Sequence, residues 1–357
     1  MIGSITHDNH LITFGRAQLI KQNASKYNKF VVYGSTEWDV YNAAGFPIMV
    51  ETANSQNKKL IAITGANKFL STVPYENEVT YEYNPTTFLT VVYCRFYQNM
   101  LRMTNYVRLY NNKNFNHTFI SLNSRTRAAR QEMIDLVYKY DLFEKNIISW
   151  NNQLLKLPEI NPYSFKYWIP KKLAIDGEDA SGVANHSGLD LPKQYFDCFA
   201  QLVSETTDQS IFLTEKTAVP LFLKKPFLVA TAPGFHKFLT DLGFLLYDEI
   251  FDYSFDIIQN RTERFTELLK NFIKLNKLTP GDYTDLYEII SKKLEFNRLR
   301  AIEIGKNFLF YSPTMKETID KQLNTFSLIG DSFYHTLLLY VYPKANHNFY
   351  KLHKLYK

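Results

Sequence analysis

The sequence predicts an α/β protein with a parallel, doubly wound sheet, and three observations carry that expectation. From Phe119 onward, short apolar runs alternate with amphipathic stretches, the pattern of strands joined by crossover helices. Small polar loops close several of the apolar runs, as Gly34-Ser35-Thr36 and Asn123-Ser124 do. The chain of 357 residues, 45% hydrophobic and 16% aromatic, has the length for two domains and apolar material for a core in each.

Taken in order, a strand is expected at 29–33 (Lys-Phe-Val-Val-Tyr) and another at 60–64, ending at Gly65. A long β-branched and aromatic strand follows at 88–96, and 103–110 reads as a further strand. Polar loops lie at 54–58 and 74–78, and helices in this first part are weakly patterned. The alternation then becomes clean: strand 118–122, helix 126–140 with Met133, Leu136, Val137 and Tyr140 on one face, and strand 146–150. An irregular stretch with Pro and Gly spans 157–191. Helix 193–206, strand 211–213, helix 215–224, strand 227–231, helix 234–242 and strand 244–247 come next. Residues 257–328 are helical in pattern, and no internal repeat is present.

Composition narrows the function classes. A net charge of +6 permits an acidic substrate, nucleic acid or an anionic surface and requires none of them. The two cysteines, Cys94 and Cys198, sit in apolar surroundings and read as buried free thiols. No zinc-type spacing exists, and the histidines are scattered, so no metal site is expected. The acidic run Asp176 to Asp179 reads as a solvated loop. No basic leader precedes an apolar stretch, and no run is long enough to span a membrane. A cytoplasmic protein without an integral membrane span is the expectation. The basic, aromatic segment from Tyr342 reads as a final helix packing on the body, with a surface contact as the alternative.

Two segments carry chemistry. In the first, Phe119 to Leu122 runs into Asn123-Ser124-Arg125-Thr126-Arg127 and then a helix containing Arg130. Three arginines at a helix start oppose the dipole and repel one another, a cost that a bound anion removes. In the second, Ile211-Phe212-Leu213 ends in Thr214-Glu215-Lys216, with Thr214 as N-cap and both charges in the first helical turn. Glu215 suits the dipole; Lys216 does not, unless an anion binds there. In open parallel sheets ligands sit beyond the carboxyl ends of the strands, so the two turns suggest one crevice holding a phosphate. A nucleic-acid patch or plain solubility is the competing reading of the arginines, and a solvated first turn that of the lysine.

The stretches 119–151 and 212–256 resemble the core of GT-B glycosyltransferase-like proteins of large viruses and phages, and the Thr-Glu-Lys helix is similar to the donor-binding helix of GT-B fucosyltransferases. The resemblance covers about residues 117–260 and rests on a combination: Thr-Glu-Lys, Pro220 four residues after the lysine, Lys-Pro-Phe at 225–227, then Gly234-Phe235 and an aromatic-Asp pair. It implies two Rossmann-like domains facing a cleft: an acceptor-side α/β domain (1–114), a nucleotide-sugar-binding domain (115–330) and a helical tail (331–357) that crosses back to the first domain. It also implies that Arg130 and Lys216 neutralise the donor diphosphate and that Glu215 binds the ribose hydroxyls. Asn123 and Thr214 belong to the donor loop, and Arg125 and Arg127 are additional phosphate candidates. The usual glycine before Pro-Phe is replaced by Lys225, which departs from the pattern.

Sugar transfer also needs a base for the acceptor hydroxyl if configuration inverts. Glu37 and Asp39, in the loop after the first strand, are the candidates, with His7-Asp8 as rival. The implied partners are a nucleotide-sugar co-substrate and an acceptor that is a glycan or a hydroxymethylated base in phage DNA. No separate cofactor is implied. The alternative class is a non-catalytic nucleic-acid-binding protein with a degenerate glycosyltransferase core, for which aromatic-basic runs such as Tyr106 to Tyr110 would stack bases.

Overall fold

The computed structural model describes residues 4–7, 10–13, 20–22, 24–34, 45–64, 68–69, 75, 77–83, 89, 114–123, 127–143, 145–150, 194–205 and 207–306. They are mixed α/β with parallel sheets, in two compact units within residues 1–88 and 89–307.

In the first unit, strands β1 (Ser4–His7) and β2 (His10–Thr13) form an antiparallel pair. β2 then runs parallel to β3 (Lys29–Gly34), which runs parallel to β4 (Lys59–Thr64) and that to β5 (Val79–Tyr83). Helix α1 (Phe46–Ser55) connects β3 to β4. Its Phe46, Met49, Val50 and Ala53 recur at helical spacing and pack with Phe30, Val32, Leu60, Ala62 and Val79. Asn57, at φ 51°, ends the helix in the left-handed region, where asparagine substitutes for glycine. Neither α1 nor β5 is among the elements expected from sequence. The expected strand 103–110 and most of 88–96 lie outside the described residues; Leu89, from the latter, is helical.

In the second unit a parallel sheet runs in the order β9–β8–β6–β7, from strands β6 (His117–Asn123), β7 (Ile147–Trp150), β8 (Cys198–Ser204) and β9 (Phe227–Ala230). Chain order therefore steps outward from β6 to β7, then returns to the other side of β6. Such a reversal, here between β6 and β8, is a topological switch point. Helices α2 (Ala128–Lys139) and α5 (Arg261–Leu275) cover one face, where Phe119 meets Phe272 at 4.6 Å between ring centres. Helices α3 (Glu215–Phe222) and α6 (Pro280–Lys306) cover the other, where Phe199 stacks on Tyr283 at 5.3 Å.

Three expectations fail in this unit. The helix expected at 193–206 is a single helical turn, Gln194–Asp197, followed by the central strand β8. All seven residues of β8 are buried, because helices cover both faces, so the run lacks the period-two alternation that marks a strand. Its one long polar side chain, Gln201, accepts a hydrogen bond from the Tyr195 hydroxyl at 2.7 Å. The strand expected at 244–247 is unpaired with the sheet. Asn297 of α6 takes the place of a neighbouring strand there: its Oδ1 accepts from Leu245 N and its Nδ2 donates to Leu245 O, both at 2.8 Å. The 211–213 strand shrinks to Ser210–Ile211, outside this sheet.

Helix α4 (Phe235–Asp241) follows β9 and is tied to it by His236. The ring accepts the Val229 N–H at Nε2 (3.2 Å) and donates from Nδ1 to Asp256 (2.8 Å). Asp256 also accepts the backbone N–H groups of His236 and Lys237, which caps α4.

At the amino ends of the strands, Lys225 is buried beneath the sheet. Its ammonium donates to the Cys198 carbonyl and sits 4.8 Å from the Tyr195 ring centre. The left-handed residue that closes α3 is Lys224 (φ 52°), and the Lys225 N–H reaches back to Pro220 O at 3.0 Å. Burial pulls the Lys225 amine down to about 8, against a partial counter-effect from Cys198 and Asp197. The folded state thus binds fewer protons than the unfolded chain between pH 8 and 10.5, and stability rises with pH there. The Cys198 thiol, pushed up to about 12 by burial, works in the opposite direction above pH 9. Lys225→Met isolates the first effect. The stability of wild type relative to the variant should improve by roughly 1 kcal/mol from pH 8 to pH 9. Urea denaturation at a series of pH values measures it, and a flat difference would mean the ammonium is as well solvated folded as unfolded.

Candidate functional site

The carboxyl edge of the second sheet, at the switch point between β6 and β8, gathers the described site residues. β6 ends at Asn123, which is 1% exposed and donates from Nδ2 to Ser121 Oγ at 3.0 Å. α2 starts five residues later. Its N-cap, Arg127, has an extended backbone, makes no side-chain capping bond and is solvent-exposed. The first turn holds no acidic residue, and Arg130 within it is 4% exposed.

On the opposite face, α3 starts very differently. Thr214 is the N-cap, and its hydroxyl accepts the Lys216 N–H at 3.2 Å. Glu205, the residue after β8, turns its buried carboxylate onto this helix start. Oε1 accepts from Thr214 N (3.1 Å) and Thr217 Oγ1 (2.6 Å), and Oε2 accepts from Thr214 Oγ1 (2.7 Å). A carboxylate at a helix N-terminus is favoured by the dipole and by charge-assisted hydrogen bonding. The clasp also compensates a weakness inside the helix. Pro220 has no N–H to offer the Lys216 carbonyl, so the first turn is held by one backbone bond fewer.

Glu215 and Lys216 form an ion pair at 2.6 Å, with side chains 20% and 14% exposed. Burial opposes ionisation of Glu215, but the Lys216 charge and hydrogen bond and the charge of Arg130 outweigh it and lower its pKa. Arg130 starts the helix that follows β6, and Glu215 the helix that Glu205 ties to the end of β8. The structure thus brings Asn123, Arg130, Thr214, Glu215 and Lys216 to one edge of one sheet. The electrostatic cost expected of a lysine in the first turn of α3 is met by the adjacent Glu215. Glu37 and Asp39, the rival His7-Asp8 as a pair, Arg125, Cys94 and the acidic run 176–179 include or lie among residues outside those described.

Several residues that hold the site were not expected. Glu132, one turn into α2, is 2% exposed; it accepts from Arg261 Nε at 2.5 Å and from the Thr262 hydroxyl. Arg261 Nη1 also binds Asp208, in the loop after β8, at 3.1 Å. Arg264, 3% exposed, donates to the carbonyls of Thr231, Ile258 and Gln259. This network pins the start of α5 to α2 and to the 207–209 loop. Glu205 carries the one signal that sequence offered: a carboxylate directly after a mostly apolar run, which is conspicuous once 198–204 is read as a strand.

Among the described residues no group of three or more His, Cys, Asp or Glu is placed to hold a metal ion, and no helix is long and apolar enough to cross a membrane. Comparisons with protein-family models, with curated proteins and with solved structures find no match. The edge combines the cations Arg127, Arg130 and Lys216 with the carboxylates Glu205 and Glu215, the first engaged by the α3 start and the second paired with Lys216, and it suits an anion next to a hydroxyl-bearing group.

The Glu205 clasp yields a prediction. Glu205→Ala strips three donors of their acceptor in a buried place and should destabilise the protein by about 3 kcal/mol. Chemical denaturation measures this; a loss below about 1 kcal/mol would mean that the start of α3 is held by its cap alone.

Proposed function

We propose that the chain is a glycosyltransferase that moves a sugar from a nucleotide-sugar donor to an acceptor hydroxyl. Arg130 and Lys216 neutralise the departing diphosphate, Glu215 accepts the ribose hydroxyls, and Asn123 and Thr214 frame the donor loop. Arg125 and Arg127 extend the positive surface along the phosphates. The observation that carries this reading is that the start of α2, with Arg130, follows the end of β6 while Glu205 ties the start of α3, with Glu215-Lys216, to the end of the adjacent strand β8, at the switch point of a parallel sheet. A diphosphate leaving group requires positive charge placed before the reaction, and arginine and lysine supply it without a metal.

In this reading the C1–O bond to the diphosphate breaks as the acceptor oxygen bonds to C1. The acceptor proton passes to Glu37 or Asp39 of the first unit if configuration inverts. The first unit supplies the acceptor side of a GT-B arrangement, and the acceptor is a glycan or a hydroxymethylated base in phage DNA. The nucleic-acid-binding alternative draws on the exposed Arg127, the net charge of +6 and aromatic-basic runs such as Tyr106 to Tyr110, which lie outside the described residues.

A thermal-shift screen against nucleotide sugars and free nucleoside diphosphates tests the donor site. One nucleotide family should raise the melting temperature by mass action. Lys216→Ala should then weaken that ligand roughly tenfold, the worth of one charge-assisted contact, with the fold intact. Unchanged affinity in the variant would remove Lys216 from the site. A uniform, modest loss of DNA affinity with a smaller salt slope would instead favour the nucleic-acid-binding class. Turnover should be undiminished in excess chelator; activity that is abolished and then restored by magnesium or manganese would exclude purely side-chain neutralisation of the diphosphate.

A further inference from the structure

We propose that Ser204 is a phosphate-binding residue, its hydroxyl donating to a phosphoryl oxygen seated at the start of α2. This rests on the nucleotide-sugar reading and narrows it to one subsite and one side chain outside the donor loop.

Ser204 closes β8 at the switch point. β6 and β8 pair in parallel, with Phe119 opposite Ala200 and Ile120 opposite Gln201, and continuing that register sets Ser204 beside Asn123. Paired residues of parallel strands share a face, and alternate residues return to it. Phe119 meets Phe272 of α5, so Asn123 and Ser204 face the α2–α5 layer. Glu205, one residue on, faces the opposite layer, as its bonds to Thr214 and Thr217 show. The chain passes from Asn123 to the α2 N-cap in four residues, so the first turn of α2 lies over this edge.

Ser204 is 3% exposed and its Oγ has no hydrogen-bond partner among the described residues; Gln131, at the fourth position of α2, is 1% exposed and its Oε1 has none among them either. Buried polar atoms without partners are rare in folded proteins and cost stability. Two of them, one closing β8 on the face that α2 covers and one in α2 itself, point to a polar ligand. The helix start states its charge. The α2 N-cap, Arg127, makes no side-chain capping bond, the first turn carries no acid, and Arg127 and Arg130 add positive charge there. α3 is already served by the Glu205 carboxylate, the Thr214 hydroxyl and Glu215. An anion is therefore directed to α2. A serine hydroxyl donates readily to a phosphoryl oxygen, and the Gln131 amide, turned half-way about its last bond, offers an N–H to the same group.

The test is calorimetric titration of inorganic pyrophosphate into the full chain, wild type and Ser204→Ala, with melting temperatures of both ligand-free proteins. The variant should bind about tenfold more weakly. Its ligand-free melting temperature should hold or rise, because alanine buries no hydroxyl. Weaker binding with a melting temperature several degrees lower would make Ser204 a structural residue and overturn the proposal. Equal affinity in both proteins would overturn it while leaving the nucleotide-sugar reading intact. Absence of pyrophosphate binding by wild type would also overturn it, and only if the nucleotide panel likewise gave no shift would both readings fall.

Discussion

The buried carboxylate of Glu205 constrains much of what surrounds it. Placed at 2% exposure, it has no water to solvate its charge and must find donors in the protein. It finds one backbone N–H and two threonine hydroxyls, all at the start of α3. The end of the central strand and the first turn of the following helix are thereby fixed to one another. The loop 207–209 between them is held separately, by the Thr231 hydroxyl on Thr207 O and by Arg261 on Asp208. With both ends anchored, Glu215 and Lys216 have a defined place at the sheet edge.

The two helix starts at this edge solve the same electrostatic problem differently. α3 collects three negative or dipolar groups and carries its lysine as half of an ion pair. α2 collects cations and no cap. Beyond its first turn, α2 is itself held by negative charge, since Glu132 binds Arg261 and Thr262 of α5. The positive field is thus concentrated where the strands end. The same architecture accounts for the placement of Arg264, whose guanidinium closes three carbonyls around the entry to α5.

How much of this was legible depended on where each backbone found its partners. The strand-helix alternation around β6, α2, β7, α3 and β9 could be read within a residue or two, because those segments have apolar periods of their own. Thr214 could be read as a cap because capping is local. β8 could not, since a strand covered on both faces has no alternation to display. The run 244–247 looked like a strand, but both backbone groups of Leu245 bond Asn297, 52 residues away, rather than a neighbouring strand. α1 has a clear helical spacing in Phe46, Met49, Val50 and Ala53, which Pro47 at its start disguises although proline is at home there. Glu205, Glu132 and Arg261 were illegible as partners because their bonds join segments far apart in the chain.

The ring of His236 has a consequence for how the sheet meets its surroundings. In the described sheet β9 is the last strand on its side, and its outward N–H groups would ordinarily be a template for another chain. The Val229 N–H is instead satisfied by an imidazole that Asp256 holds in orientation. Proteins often blunt such edges with lysine or proline. Here an aromatic ring does so from within the core, 2% exposed and flanked by Phe235, Tyr253 and Phe255. At Val229 the border of the sheet is blunted against intermolecular strand addition by a side chain that solvent barely reaches.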